Sequence, residues 1–454
     1  MKRIVVAMAP LLVLLPAAPG AVAGKRIDGL PANVVSQAFP AAVRTYPVLD
    51  RTGQAIGTTR WRVVRNTGNC CENHFAATAD GRLLDFGGTY IHFTDDKGAT
   101  WRRVAPIEPF MGGEGTITVA ANGDVLGVAW DVYSGDRILG FKWDAATKLW
   151  TYQNNVLHTP FYDREWVAVV ERPGILPGRP MKNPYMSILK GGWPSKDVWS
   201  YSFDGVHYTL ATNKRATGVG QETVSRWLPT TRQAAADWTQ SITASSITPL
   251  PGGGALARPA DTLDSLFGGG WMILEPGTLR WSPFRLGDGS VLPPGRLLID
   301  SNGHAHLLNA SGGTVTYRLS RDGGRTWDTT TASLPAGSTV EEWDAKASGA
   351  LGRAIVGVHA HRSSTNTDQD YVLEFATGCG APQHLMTHVA GAGNLNAGSG
   401  VGASIRFDFA TVALLPDGTI VTSLQDQSQP QPSAAIALET TPNDPEAELP
   451  QPSC

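Results

Sequence analysis

Residues Thr94 to Trp101 read TDDKGATW, and residues Ser320 to Trp327 read SRDGGRTW. Both octapeptides place a hydroxyl residue first (Thr94, Ser320), an acid third (Asp96, Asp322), a glycine fifth (Gly98, Gly324) and tryptophan last (Trp101, Trp327). A carboxylate two residues after a hydroxyl can accept hydrogen bonds from turn N–H groups. The glycine permits positive φ, and the ring folds back as an apolar plug. Such a segment predicts a tight, self-stapled turn between two strands. A shortened copy, SFDGVHY, runs from Ser202 to Tyr208.

A looser repeat surrounds these turns. Apolar runs flank a glycine-bearing tip in FAATADGRLLDFGG from Phe75, ITVAANGDVLGVAWD from Ile117, LLIDSNGHAHLLN from Leu297 and ATVALLPDGTIVTSLQD from Ala410. Each predicts a β-hairpin. Less regular versions start at Trp166, Ile247 and Ala345, which makes seven inner hairpins. From the tip at Gly81 to the tip at Gly418 the mean spacing is about 56 residues, the period of a four-stranded repeat with loop insertions. Six outer hairpins fit between them. For the seventh, AAIALE near Ala434 offers one strand and the N-terminal VRTYPVL or TRWRVVR another, which would close a ring.

The octapeptides resemble the Asp-box, or BNR repeat, of sialidases and related secreted bacterial β-propellers, where it joins the third and fourth strands of a blade. The resemblance implies an all-β chain folded as a single β-propeller of seven blades, with six as the fallback count. GNCCENHFAATADGRLLDFGGTYIHFTDDKGATWRRV resembles the opening blade of sialidase-like proteins, and DREWVAV resembles an element that opens inner strands in the same group. A sialidase proper also carries an Arg-Ile-Pro strand, three clamping arginines and a Tyr/Glu pair. RWRVVRN from Arg60 lacks the first of these.

The domain reading is a signal peptide over 1–24, a propeller over 25–440 and a Pro/Glu-rich tail over 441–454. Lys2 and Arg3 precede an apolar stretch interrupted by Pro10 and Pro16, and Ala21-Val22-Ala23 precedes Gly24, the pattern of a cleaved secretory leader rather than a membrane span. The expected location is therefore extracellular. Loss of Lys2 and Arg3 takes the formal charge from -3 to -5. A mildly acidic chain without basic clusters does not suit nucleic acid or an anionic membrane as main partner. Four cysteines, Cys70, Cys71, Cys379 and Cys454, suggest disulfides in an exported protein, each of the adjacent pair taking a distant partner.

Chemistry is expected where side chains just before each inner strand crowd one mouth of the channel. Those positions supply Glu72, Asn73 and His74, then Glu114, then Asp163, Arg164, Glu165 and Trp166. Glu341, Glu342, Trp343 and Asp344 precede the sixth inner strand, and Arg406 and Asp408 the seventh. Gln221 and Glu222 are candidates for the fourth. Carboxylates with arginines and aromatic rings suit carbohydrate: rings stack on sugars, arginine holds acidic groups, and paired carboxylates supply acid and base or nucleophile.

The catalytic candidates are thus Glu114, Asp163, Glu165 and Asp408. Arg164, Arg406, Trp166, Trp343 and His74 are the substrate-binding candidates. The expected function is carbohydrate binding at the central mouth, extending to glycoside hydrolysis. The alternative is a non-catalytic propeller that binds a protein or cell-surface polymer. No cofactor is required, although an acidic funnel could hold Ca²⁺ on Asp163, Glu165, Asp344 and Asp408. His304 with His306, and His359 with His361, alternate along strands and share a face pairwise. Metal ligation and plain solvent-facing strands both account for them, and no metal centre is assigned.

Overall fold

The computed structural model describes residues 34–37, 39, 41–65, 74–86, 91–104, 115–120, 122–130, 137–146, 149–156, 166–171, 185–191, 198–210, 247–249, 255–257, 271–274, 281–284, 293, 295–300, 302–322, 324, 326–365, 367–378, 380–393, 411–426 and 433–440. Among these residues there are thirty strands and no helix. No helix long and apolar enough to cross a membrane occurs there, which says nothing of a membrane β-barrel. The leader, the tail from 441 and all four cysteines lie outside the described residues.

Three strands open the described chain: β1 (Val34–Gln37), β2 (Ala41–Leu49) and β3 (Ala55–Arg65). A first antiparallel sheet follows in sequence order, β4 (His74–Ala77), β5 (Leu83–Phe86), β6 (Ile91–Thr94) and β7 (Trp101–Val104), with β1 added outside β7. The second sheet is β8 (Gly115–Val119), β9 (Val125–Trp130), β10 (Arg137–Asp144) and β11 (Leu149–Val156). The third is β12 (Trp166–Glu171), β13 (Tyr185–Gly191), β14 (Val198–Ser202) and β15 (Thr209–Leu210). The fourth is β16 (Ile247–Pro249), β17 (Ala255–Ala257), β18 (Trp271–Leu274) and β19 (Trp281–Phe284). The fifth is β20 (Arg296–Ile299), β21 (Ala305–Ser311), β22 (Thr314–Ser320) and β23 (Asp328–Ser333).

The remaining strands form one nine-stranded sheet. Within it, β24 (Ser338–Ser348), β25 (Arg353–Arg362), β26 (Thr367–Ala376) and β27 (Gln383–Gly393) make a sixth four-stranded set. The seventh set draws on both ends of the chain: β28 (Val412–Leu414), β29 (Ile420–Asp426) and β30 (Ser433–Glu439) are completed by β3, which pairs with β30 over Trp61 to Arg65. β2 lies outside β3 and also pairs with β27, joining the two sets. The first strands β4, β8, β12, β16, β20, β24 and β28 touch in that order, and β28 touches β4. All seven inner hairpins and all six outer ones expected from the sequence coincide with antiparallel strand pairs. Of the two N-terminal segments offered for the last hairpin, TRWRVVR pairs with β30, and VRTYPVL takes the place outside it.

The tips share one chemistry. At Gly81, Gly123, Gly303 and Gly418 the glycine N–H donates to the carbonyl three residues back, and that same residue's N–H donates to the carbonyl four residues on. All four glycines have φ between 78° and 88°, the left-handed conformation that closes this turn. The two octapeptides and SFDGVHY each join the third and fourth strands of a sheet. In the first, the Thr94 hydroxyl donates to Asp96 at 2.8 Å and accepts from Gly98 N–H at 2.8 Å, while Asp96 accepts from Thr100 N–H at 2.8 Å. Ser320, Asp322, Gly324 and Thr326 repeat this pattern, and Trp327 Nε1 donates to the Gly324 carbonyl at 3.1 Å. Ser202, Asp204 and Gly205 give the shortened version.

The core is a series of seams between sheets rather than a single mass. Ala76, Leu84, Phe86, Ile91 and Phe93 meet Ile117, Val125, Leu139 and Phe141 between the first two sheets, with Phe86 and Phe141 edge to face at 5.1 Å. Leu308, Val315, Tyr317 and Leu319 meet Val356, Val358, Tyr371 and Phe375 between the fifth and sixth sets. Trp101 joins Val64, Phe75, Ile436 and Leu438, so the first octapeptide plugs the seam between the first and last sheets. The turn is thereby sequence-local and the plug is not.

Glycine substitutions separate these two contributions. Gly81 is left-handed in open space, whereas Gly98 is left-handed with a Cβ position 2.8 Å from Leu438 Cδ1, itself buried in the seam. Gly81→Ala should lose about 1–2 kcal/mol for the backbone alone. Gly98→Ala should lose about 1–3 kcal/mol more through overpacking. Urea denaturation of the two variants checks this, and equal losses would show that Leu438 yields freely.

Candidate functional site

Ten of the sequence-derived candidates, Glu72, Asn73, Glu114, Asp163, Arg164, Glu165, Gln221, Glu222, Arg406 and Asp408, lie outside the described residues. Trp166 is the first residue of β12, and its side chain is likewise outside them. His74 and Trp343 are described, and they part company. His74 opens β4 and faces charged groups from other first strands. Trp343, expected as a stacking platform, packs instead against the apolar seam between the fifth and sixth sets. Strand alternation is the reason: Trp343, Ala345 and Ala347 share the seam face of β24, which leaves Asp344 and Lys346 on the opposite face.

Asp344 is the hub. Its carboxylate forms an ion pair with Arg296, the first residue of β20, and accepts from Val412 N–H, the first residue of β28, at 2.9 Å. Lys346 Nζ stands 3.8 Å from the same carboxylate. The Arg296 and Asp344 side chains are only 13% and 6% exposed, so each would be costly to bury without the other. Asp344 is therefore committed to Arg296, Lys346 and backbone N–H groups. This removes it from the Ca²⁺ ligands expected from the sequence, and the other three lie outside the described residues.

His74 completes the group. Burial, reinforced by the positive charges of Lys346 and Arg296, holds its imidazole down to about 3 despite a hydrogen bond to the Ile117 backbone on β8. It is neutral throughout the physiological range. Burial pulls Arg296 down to about 10, which leaves it charged at neutral pH. Lys346 keeps 31% of its side chain exposed, yet the crowding of protein around the rest, followed by the Arg296 charge, brings its ammonium down to about 7. The described centre thus holds two cationic groups, one of them poised to titrate, against one committed carboxylate. It draws on β4, β8, β20, β24 and β28, five of the seven first strands.

Arg296 and Lys346 were not among the sequence candidates, although the signal existed. Arg296 directly precedes LLID, the strand of the fifth inner hairpin, where the rule applied to the other hairpins would have found it. Lys346 is two residues after Asp344 and shares its face by the period of a strand.

Further buried acid–imidazole pairs stitch strands together away from this centre. Glu374 binds Arg353 and hydrogen-bonds His388 Nε2 at 3.0 Å, and His388 also approaches Glu439 of β30 at 4.0 Å. His306 lies between Asp300, at 3.1 Å, and the Tyr317 hydroxyl, at 2.6 Å. His306 and His359, expected on a solvent-facing side as the plain alternative to metal ligation, are both buried.

No protein-family model matches this chain, and no curated protein matches it either. Among solved structures it is similar to the α-L-arabinanase of Penicillium chrysogenum complexed with arabinobiose, at 10% identity over 88% of this chain and 98% of that one, with a TM-score of 0.35. It is similar to the GH93 α-L-arabinofuranosidase of Fusarium graminearum with arabinobiose, at 9% identity over 87% and 97%, with a TM-score of 0.36. A chain of the mitotic checkpoint complex aligns at 8% identity over 96% and 99%, with a TM-score of 0.41. At scores this low, likenesses that reach from arabinan-degrading enzymes to a checkpoint complex do not select a function.

The Arg296–Asp344 pair has a measurable signature. Arg296→Met should destabilise the protein by about 3–5 kcal/mol, because Asp344 is left buried without its guanidinium. Arg296→Met with Asp344→Asn should recover part of that loss. Equilibrium denaturation of the single and double variants checks the coupling, and additive losses would mean that the two side chains do not depend on one another.

Proposed function

We propose that this chain is a secreted, closed, seven-bladed propeller that binds an acidic carbohydrate at the mouth where its inner strands begin. The seven four-stranded sets, the cyclic order of touching first strands, and the completion of the last set by β3 support the closed ring. The leader-like residues 1–24 support export.

The observation that carries the ligand class is the meeting of Arg296 and Lys346 on Asp344, with neutral His74 within electrostatic reach of both cations. Two cations can hold a sugar carboxylate, and a neutral imidazole can exchange hydrogen bonds with hydroxyl groups. Lys346 is the adaptable member. A bound carboxylate would favour its charged form, so the group nearest its midpoint at neutral pH is the one an anion recruits. The Asp-box resemblance points the same way, since sialidases clamp a substrate carboxylate with cationic side chains. Glu114, Asp163, Glu165 and Asp408 each precede a first strand in sequence and supply the acid and base that hydrolysis would need.

The test is binding by the purified mature chain to sialosides, oligomeric uronic acids and neutral glycans, followed by calorimetry. The acidic classes should bind and the neutral ones should not, and Lys346→Met should weaken binding by about tenfold. Affinity should fall as pH rises from 6 to 9, because Lys346 loses its charge as pH passes about 7, and the variant should flatten that profile. Equal binding of neutral and acidic glycans, or an unchanged profile in the variant, would overturn the acidic-sugar reading. Sugar release abolished by Glu165→Gln would extend binding to hydrolysis. Binding to a protein or surface polymer with no affinity for any glycan would establish the alternative, a non-catalytic scaffold.

A further inference from the structure

β24 is eleven residues long, whereas β4 and β20 have four each. Asp344 meets the first residues of β20 and β28, so the residues from Ser338 to Trp343 continue beyond the level at which those strands start. On this projecting part of the sixth set, three strands bring acids and imidazoles together. Glu341 comes from β24, His359 and His361 from β25, and Asp368 and Asp370 from β26.

Glu341 is the extra residue at a register shift of the β24–β25 ladder, whereas His359 with Asp370 and His361 with Asp368 are cross-strand partners in the regular β25–β26 ladder. Bulges of this kind turn a side chain out of the strict alternation. His359 Nε2 then lies 3.9 Å from Glu341 Oε2 and 3.8 Å from Asp368 Oδ2. All three candidate ligand atoms are within 4.8 Å of one another.

We propose that Glu341 Oε2, His359 Nε2 and Asp368 Oδ2 bind a divalent first-row metal ion, Mn²⁺ or Zn²⁺, with Asp370 orienting the histidine. An ion about 2.1 Å from each atom needs ligand separations of about 3.0–3.5 Å, so the carboxylates must close on His359 Nε2 by about 0.3–0.9 Å from the 3.9 and 3.8 Å present. The donor set, one imidazole and two carboxylates, suits ions between the hard Mg²⁺ and Ca²⁺ and the softer ions that favour thiolates.

Two features separate this cluster from an ordinary strand-face ion pair. Asp368 is 2% exposed, and its Oδ2 makes no hydrogen bond while pointing at the other two atoms. Its Oδ1 is held by His361 Nδ1 at 3.0 Å, which fixes the carboxylate plane. On the other side of the imidazole, His359 Nδ1 meets Asp370 Oδ1 at 2.8 Å. That is the outer-shell arrangement that fixes a ligating histidine with Nε2 toward the metal. The Glu341 side chain is 17% exposed and gives solvent, and hence an ion, a route to the site.

The neighbouring charged groups on β24 and β25 are Glu342, beside Glu341, and Arg362, which acts electrostatically on Tyr371.

Isothermal titration of the chelator-treated full chain with MnCl₂ and ZnCl₂ at pH 7.5 tests the proposal. One saturable ion per chain is expected. Glu341→Gln and Asp368→Asn should each abolish saturable binding, and Asp370→Asn should weaken it about 10–100-fold. Circular dichroism and thermal melts verify that the variants fold, and Glu341→Gln, at the partly exposed position, is the variant least able to disturb the fold. Absence of saturable binding by either ion would overturn the proposal. So would an affinity unchanged in folded Glu341→Gln and Asp370→Asn. Saturation by Ca²⁺ at equal affinity and no preference for Mn²⁺ or Zn²⁺ would replace the assigned ion class.

Discussion

The pairing of β3 with β30 is the contact on which the remaining architecture rests. Trp61 to Arg65 align with Glu439 to Ala435, so a strand from the start of the described chain finishes a sheet begun at its end. Without β3, β30 would be an open sheet edge with unpaired N–H and C=O groups. The cost is entropic, because a contact across most of the chain closes a very long loop. That cost grows only logarithmically with length, whereas ladder hydrogen bonds and the burial of Trp61, Val63 and Val64 accumulate with every paired residue. β2 extends the same solution by pairing with both β3 and β27, so the last two sets share a hydrogen-bonded surface rather than only a packed one.

The three hydroxyl–acid–glycine turns solve a different problem, at the outer ends of the sheets. A four-residue strand such as β7 contributes little burial alone. Its preceding turn satisfies its own backbone through Asp96 and Thr94, and Trp101 is delivered into a seam lined by Ile436 and Leu438 of the last sheet. The SFDGVHY turn works in the same way between the second and third sheets. Asn155 of β11 donates to the Val206 carbonyl at 2.8 Å and accepts from Tyr208 N–H at 3.0 Å. Local turn chemistry is thereby converted into contact between sheets, which sequence-local hairpins cannot supply by themselves.

These properties explain what could be read from the chain. Hairpins were legible because a tip such as Asp80-Gly81 and its flanking apolar runs are local, and the three stapled turns were legible because every bond in them spans four residues or fewer. The partner of β30 was legible only as a choice between two N-terminal segments, since nothing local distinguishes Thr59–Arg65 from the strand before it. Site residues were harder. Counting positions before each strand found His74 and Asp344, but it also promoted Trp343, whose alternation partner Ala345 already marks the seam face. It missed Lys346 because the sequence places the start of that strand at Ala345, whereas β24 already begins at Ser338. His359 and His361 were recognised as a pair, yet their acids come from β26 and a bulge in β24, relations that only the register of three strands reveals.

Buried charge in this protein follows a consistent division. Acids inside the sheets are matched by imidazoles or guanidinium groups on neighbouring strands: Asp370 by His359, Asp300 by His306, and Glu374 by both His388 and Arg353. Such pairs offset most of the desolvation cost where water cannot help. At the centre the balance reverses, since Asp344 faces two cations, and His74, within range of both, is kept neutral by burial first and by their charges second. A carboxylate matched by a single cation would be satisfied and inert toward a ligand. Lys346 is partly exposed and its charge is only half secured near neutral pH, so among the described residues of the centre the cationic groups outnumber the carboxylates. A fold stabilised by matched pairs elsewhere can carry such a position, because the desolvation it costs is small beside what the seams between sheets contribute.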